Sequence, residues 1–122
     1  MKLHASLPGG AYTITGYGDD YVAVNGERHT SSLIVTAERV APWEVSGFAN
    51  LSAADFEALK GLEVEIVILG TGARQRFPHP RLTAALTNAR VGLEVMDVKA
   101  ACRTYNILVA EARRVAAALL LK

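Results

Sequence analysis

From Glu63 to its C-terminus the chain alternates apolar runs of strand length with amphipathic segments of helix length, and this alternation restricts the folds open to it. Val64-Glu65-Ile66-Val67-Ile68-Leu69 is apolar almost throughout, the mark of a strand covered on both faces and so central in its sheet. After Gly70-Thr71-Gly72, a helix is expected to start near Pro80, with Leu82, Ala85, Leu86 and Ala89 on one face and Gly92 just past its end. The strand Leu93 to Met96 follows. Asp97 then caps a helix whose stripe is Ala101, Tyr105, Leu108 and Ala112, and Val115 to Leu121 supplies the last strand. Strands separated by helices of this length favour parallel pairing through crossovers.

The first third is different. Ala11 to Thr15, Tyr21 to Val24 and the segment from Glu27 onward alternate in the manner of half-buried strands, and Asn25-Gly26 marks a hairpin turn between the last two. Gly16, Gly18, Asp19 and Asp20 supply the earlier turn, Ser32 to Thr36 is a further strand, and Ala41-Pro42-Trp43 breaks the pattern. Ser52 and Asp55 form a capping box for a helix over Ala53 to Lys60, ended by Gly61. The expected architecture is α/β, a β-meander followed by β-α-β-α-β, giving a mixed sheet with helices packed on it and part of the meander outside. A length of 122 residues with 51% apolar side chains suffices for one core, so residues 1–122 are expected to form a single domain, with Ile66, Ile68, Val95, Leu108, Val109 and Leu119 buried.

The formal charge is +1, from 13 basic and 12 acidic side chains spread along the chain, which argues against nucleic acid as a partner. The lone Cys102 has no partner for a disulfide, and Met1-Lys2-Leu3-His4-Ala5-Ser6 lacks the apolar run of a secretory signal, so a cytoplasmic, reducing setting is expected. No apolar stretch is long enough to span a bilayer, so the chain is not expected to be membrane-embedded.

Gly70-Thr71-Gly72 follows a strand, as a phosphate-binding turn would, but Gln75 stands where a third glycine belongs and Arg76-Phe77-Pro78-His79-Pro80 prevents an immediate helix. A structural turn is the better reading. In open α/β sheets, however, ligands bind beyond the carboxyl ends of the strands, so the loops at Gly70 to Arg74 and Asp97-Val98-Lys99 are a candidate anion site carrying Gly70, Thr71, Gly72, Arg74, Lys99 and Arg103. The competing reading is a solvated basic rim. His4, His29 and His79 are scattered without metal-ligand spacing, no serine lies in a nucleophile elbow, and Glu94 and Asp97 point to opposite faces of a strand. No metal site, cofactor or catalytic group is expected. Cys102 reads as a small core residue, and Asn106, poor in helix propensity, either faces solvent or satisfies a buried backbone group across the domain. Trp43 and Phe48 either cover one end of the core or anchor a partner, and Tyr12, Tyr17 and Tyr21 cluster around the first turn.

Taken together, Asn25-Gly26, Trp43-Glu44-Val45, Ile68-Leu69-Gly70-Thr71-Gly72, Gly92-Leu93-Glu94-Val95-Met96-Asp97, Ala100-Ala101-Cys102, Tyr105-Asn106-Ile107-Leu108 and Ala116-Ala117-Ala118-Leu119 resemble one family of small domains. That family includes the mitochondrial respiratory complex I assembly factor three, an adipogenesis-associated human protein and many uncharacterised bacterial members. The resemblance runs from about Thr15 onward and implies a three-layer β/β/α fold with a mixed central sheet and no established enzymatic activity. Val98 stands where the family usually has threonine, and without a mitochondrial presequence the chain looks like a bacterial member. The resemblance implies a non-catalytic interaction or assembly-factor domain with a protein partner, aiding biogenesis of a respiratory membrane complex. The rival reading is a small-anion or nucleotide-binding domain, a cryptic enzyme, using the two loops.

Overall fold

Asn25 (φ 47°) and Gly26 (φ 87°) both adopt the left-handed backbone of a two-residue hairpin turn, joining β2 (Val22–Val24) to β3 (Glu27–His29). Antiparallel to β2 on its other side runs β1 (Ile14–Tyr17), whose register shifts between Ile14 and Gly16. These strands form a three-stranded sheet of their own, as the meander predicts. The computed structural model describes residues 10–121; His4 and the N-terminal segment read above for a signal lie outside the described residues.

A second sheet has five strands in the order β5-β4-β8-β6-β7. Here β4 (Leu33–Thr36) and β5 (Val40–Pro42) form an antiparallel hairpin, β4 also pairs antiparallel with β8 (Val115–Leu119), and β6 (Ile66–Gly70) lies parallel between β8 and β7 (Gly92–Met96). The expected break at Ala41-Pro42-Trp43 is instead the end of an edge strand. Pro42 pairs with Leu33, and a residue without an N–H is tolerated where one side of the strand has no neighbour.

Helix α1 (Ala53–Lys60) has the expected bounds, because Asp55 accepts hydrogen bonds from the Ser52 amide at 2.9 Å and the Ser52 hydroxyl at 3.2 Å. Helix α2 is shorter than the pattern suggests, only Ala84–Asn88. The Thr83 hydroxyl and amide both donate to the Pro80 carbonyl at 3.1 Å, holding residues 80–83 in a turn. Gly92 does not end α2 either; Arg90 takes the left-handed position (φ 61°) and Gly92 begins β7. Helix α3 (Val98–Ala110) starts where Asp97 accepts from the Ala100 amide at 2.9 Å and stops before Ala112, so its buried face is Val98, Ala101, Cys102, Tyr105 and Val109.

Because β6 and β8 are covered on both faces, their alternate residues enter two cores. Ile68, Val115, Ala117 and Leu119 meet α3 and the small sheet, while Val67, Leu69, Ala118 and Leu120 meet Phe56 and Leu59 of α1, Leu86 of α2, and Trp43. This is the three-layer β/β/α arrangement with a mixed central sheet, α3 sharing the layer of the small sheet. Of the expected core, Ile68, Val109 and Leu119 are buried, whereas Ile66, Val95 and Leu108 are half-buried at the margins. Full burial of side chains such as Phe56 or Leu59 stabilises by about 1.5–3 kcal/mol each.

Candidate functional site

Parallel β6 and β7 end side by side, Gly70 opposite Met96, so their following loops meet at one end of the sheet. There the Thr71 amide donates to the Met96 carbonyl and the Val98 amide to the Gly72 carbonyl, each at 2.9 Å. A crevice of about 270 Å3 opens between these loops, the Gly18-Asp19 turn and Leu120-Leu121, with Asp97 and Lys99 on its wall.

The glycines have separate structural causes. A Cβ on Gly70 would lie 3.1 Å from Ala101 Cβ and 3.3 Å from Val98 Cα, so its absence lets α3 approach the sheet. Gly72 has φ 91°, which a side chain would strain. Thr71 is buried, its hydroxyl donating to the Arg74 carbonyl at 2.6 Å and accepting from the Arg76 amide at 3.0 Å.

The basic residues disperse. Lys99 lines the crevice but its ammonium lies 2.9 Å from Asp19; that hydrogen bond raises the lysine's pKa and holds the aspartate below the usual carboxylate range. Arg103 donates to the Tyr17 hydroxyl at 3.0 Å, which raises its pKa further. Arg74 is exposed and stands outside the crevice lining. The carboxylate of Asp97 already sits at the first amides of α3, where an anion would otherwise be drawn. The structure therefore brings Gly72 and Lys99 together in the crevice, packs Gly70 and Thr71 behind it, and turns Arg103 to the small sheet.

Trp43, 7% exposed, belongs to the second core, and Phe48 is half-buried against it. The Arg76 guanidinium lies over the Phe48 ring, 4.6 Å from its centroid, and donates to the Thr71 carbonyl at 2.7 Å. Asn106 makes the cross-domain choice, hydrogen-bonding the backbone of Ile14. Cys102 is buried, its thiol pushed up to about 12 by desolvation. Among the described residues no three His, Cys, Asp or Glu side chains gather as metal ligands would, and no helix is long and apolar enough to cross a membrane.

The segment after Arg74 carries more than the helix-breaking pattern of Arg76 to Pro80 suggests. Phe77 there is 70% exposed, and a signal was available: residues 66–93 hold Arg74, Arg76, His79, Arg81 and Arg90 but no Asp or Glu.

The sequence pattern of the protein-of-unknown-function family DUF498/DUF598 matches residues 14–120. The chain belongs to the DUF498/DUF598 family. An uncharacterized protein of Rhodobacter capsulatus is 38% identical over 111 residues, 91% of this chain and 86% of its own. The bovine NADH dehydrogenase [ubiquinone] 1 alpha subcomplex assembly factor 3 is 31% identical over 112 residues, 90% of this chain; the match spans 61% of that factor's length. The crystal structure of a protein from Bordetella parapertussis superposes with TM-score 0.88 at 41% identity, covering 93% of this chain and 98% of that one.

Proposed function

We propose that this chain is a non-catalytic interaction domain of the cytoplasm that binds protein and aids assembly of a respiratory NADH dehydrogenase. The observation that carries this reading is the 31% identity to a bovine NADH dehydrogenase assembly factor over 90% of the chain. An interaction role needs surface and a rigid scaffold under it, and the doubly covered central sheet supplies the scaffold. Affinity purification of the tagged chain from its native host tests it. NADH dehydrogenase subunits should be enriched over an untagged control; their absence among reproducible partners would overturn the reading.

A second reading, a small-anion or nucleotide site, is supported by the crevice at the carboxyl ends of two parallel strands. Against it stand the pairing of Lys99 with Asp19 and the Asp97 carboxylate at the α3 N-terminus. A thermal-shift screen with phosphate, nucleotides and dinucleotides separates the two. Saturating ligand would raise stability by about 2–4 kcal/mol, and the interaction reading expects no such shift.

A further inference from the structure

Phe77 is the most exposed large hydrophobic side chain among the described residues, and it is not on a loose loop. On its N-terminal side, Arg76 is tied down twice, by its amide to the Thr71 hydroxyl and by its guanidinium to the Thr71 carbonyl, and it stacks on Phe48. Gln75 donates to the Val95 carbonyl at 2.8 Å, fastening the same stretch to β7. On the C-terminal side, Pro78 and Pro80 restrict the backbone, and the Arg81 and Leu82 amides donate to His79 Nδ1 and its carbonyl at 3.1 and 2.9 Å. An exposed phenyl ring is thus held by a fixed backbone, which lowers the entropy lost when it enters a pocket.

Along the chain, the charge on either side of Phe77 has one sign. Residues 66–93 carry four arginines and no carboxylate, and among the described residues none of Arg74, Arg76, Arg81 or Arg90 enters an ion pair. The carboxylates of the adjoining helix α1 are occupied, Asp55 by Ser52 and Glu57 by Lys60 at 2.7 Å. In a chain whose total charge is only +1, this is a local concentration that the rest of the surface offsets. Phenylalanine and arginine are both enriched at protein interfaces, and arginine is among the residues that supply their binding hot spots.

We propose that the loop of residues 74–81 is a docking surface on which Phe77 enters an apolar pocket of an acidic protein partner while Arg74 and Arg81 face that partner's carboxylates. The inference rests on the interaction reading above and names its surface. Protein is favoured over single-stranded nucleic acid because strand binding uses several stacking aromatics along a basic groove, whereas this loop offers one ring between prolines. It is favoured over a membrane surface because the adjoining α2 has only five residues, too short for an interfacial amphipathic helix.

The test places the photoreactive residue p-benzoylphenylalanine at position 77 of the full chain in the native host, irradiates, and maps the adduct by mass spectrometry. The expected adduct is a peptide from a protein surface of net negative charge, and its yield should fall at least tenfold when Arg74→Glu and Arg81→Glu are introduced together. Both arginines are exposed, so an unchanged thermal midpoint verifies that this variant is folded. An adduct to RNA or lipid, an adduct to a basic surface, no adduct, or a yield insensitive to the charge reversal would each overturn the proposal. Complementation of a deletion strain keeps the two readings apart. If the reversed variant restores NADH dehydrogenase assembly as well as wild type, the docking surface is wrong and the assembly role stands; if deletion leaves assembly intact, the assembly role fails and the cross-link alone decides the loop.

Discussion

The side-chain amide of Asn106 holds Ile14 as a neighbouring strand would: its Oδ1 accepts from the Ile14 amide at 2.9 Å and its Nδ2 donates to the Ile14 carbonyl at 2.7 Å. With the Tyr105 hydroxyl donating to the Tyr12 carbonyl at 2.9 Å, this fastens β1 to α3 and so joins the small sheet to the main one. Asn106→Ala leaves both backbone groups of Ile14 without these partners. A loss of about 2–3 kcal/mol is expected in urea unfolding, whereas Ile107→Ala, on the exposed face of the same helix, should change stability by less than about 0.5 kcal/mol.

Gly70 and Gly72 should both resist alanine, for different reasons. Gly70→Ala drives a methyl into Ala101 and the Val98 backbone and should cost about 1–3 kcal/mol as overpacking. Gly72→Ala forces a side chain into a left-handed backbone at about 1–2 kcal/mol. An Ala101→Gly change made together with Gly70→Ala should recover part of the first loss and none of the second. Double-mutant denaturation curves give the comparison.

Alkali should destabilise the fold through buried acids. The Cys102 thiol is held up to about 12 by burial against 9.0 when exposed, and burial also raises the Tyr105 phenol. Below pH 9 both states keep the thiol proton and stability is unaffected. Above it the unfolded chain releases the proton first, so stability falls by up to about 1.4 kcal/mol per pH unit until the native thiol ionises. Cys102→Ala should make that decline shallower, and native Cys102 should react slowly with a thiol reagent at neutral pH. On the acid side, the lowered pKa values of Asp19 and Glu65 give stability that is present above their usual 3.8 and 4.5 and is lost on further acidification. Both pairs are exposed, so this loss should be small.

Ala112 occupies the left-handed position that closes α3, φ 62°, with its amide donating to the Val109 carbonyl at 2.9 Å and that of Arg113 to the Leu108 carbonyl at 3.0 Å. This is the position where glycine is preferred. Ala112→Gly should therefore stabilise the chain by about 0.5–1 kcal/mol, read as a higher urea midpoint at unchanged slope.

The local signals were legible in the sequence. Ser52 with Asp55 and Asp97 with Ala100 are contacts over three residues, and they gave the starts of α1 and α3. The apolar continuity of Val64 to Leu69 likewise marked a central strand. Contacts between distant segments were not legible: Lys99 meets Asp19 across 80 residues and Asn106 meets Ile14 across 92, so Lys99 looked free when it is committed to the first turn. The shortness of α2 also escaped the pattern, since apolar spacing from Leu82 to Ala89 is helical while Thr83 binds its own upstream turn. Phe77 was visible as a residue, but its exposure follows from packing that only the folded chain displays.

The assembly role is tested most directly by deleting the gene in its native host and resolving membrane complexes on a blue-native gel with an in-gel NADH dehydrogenase stain. Loss of most of the assembled enzyme, accumulation of smaller subcomplexes, and recovery on expressing the wild-type chain are expected. A deletion strain with the full complement of assembled, active NADH dehydrogenase would contradict it.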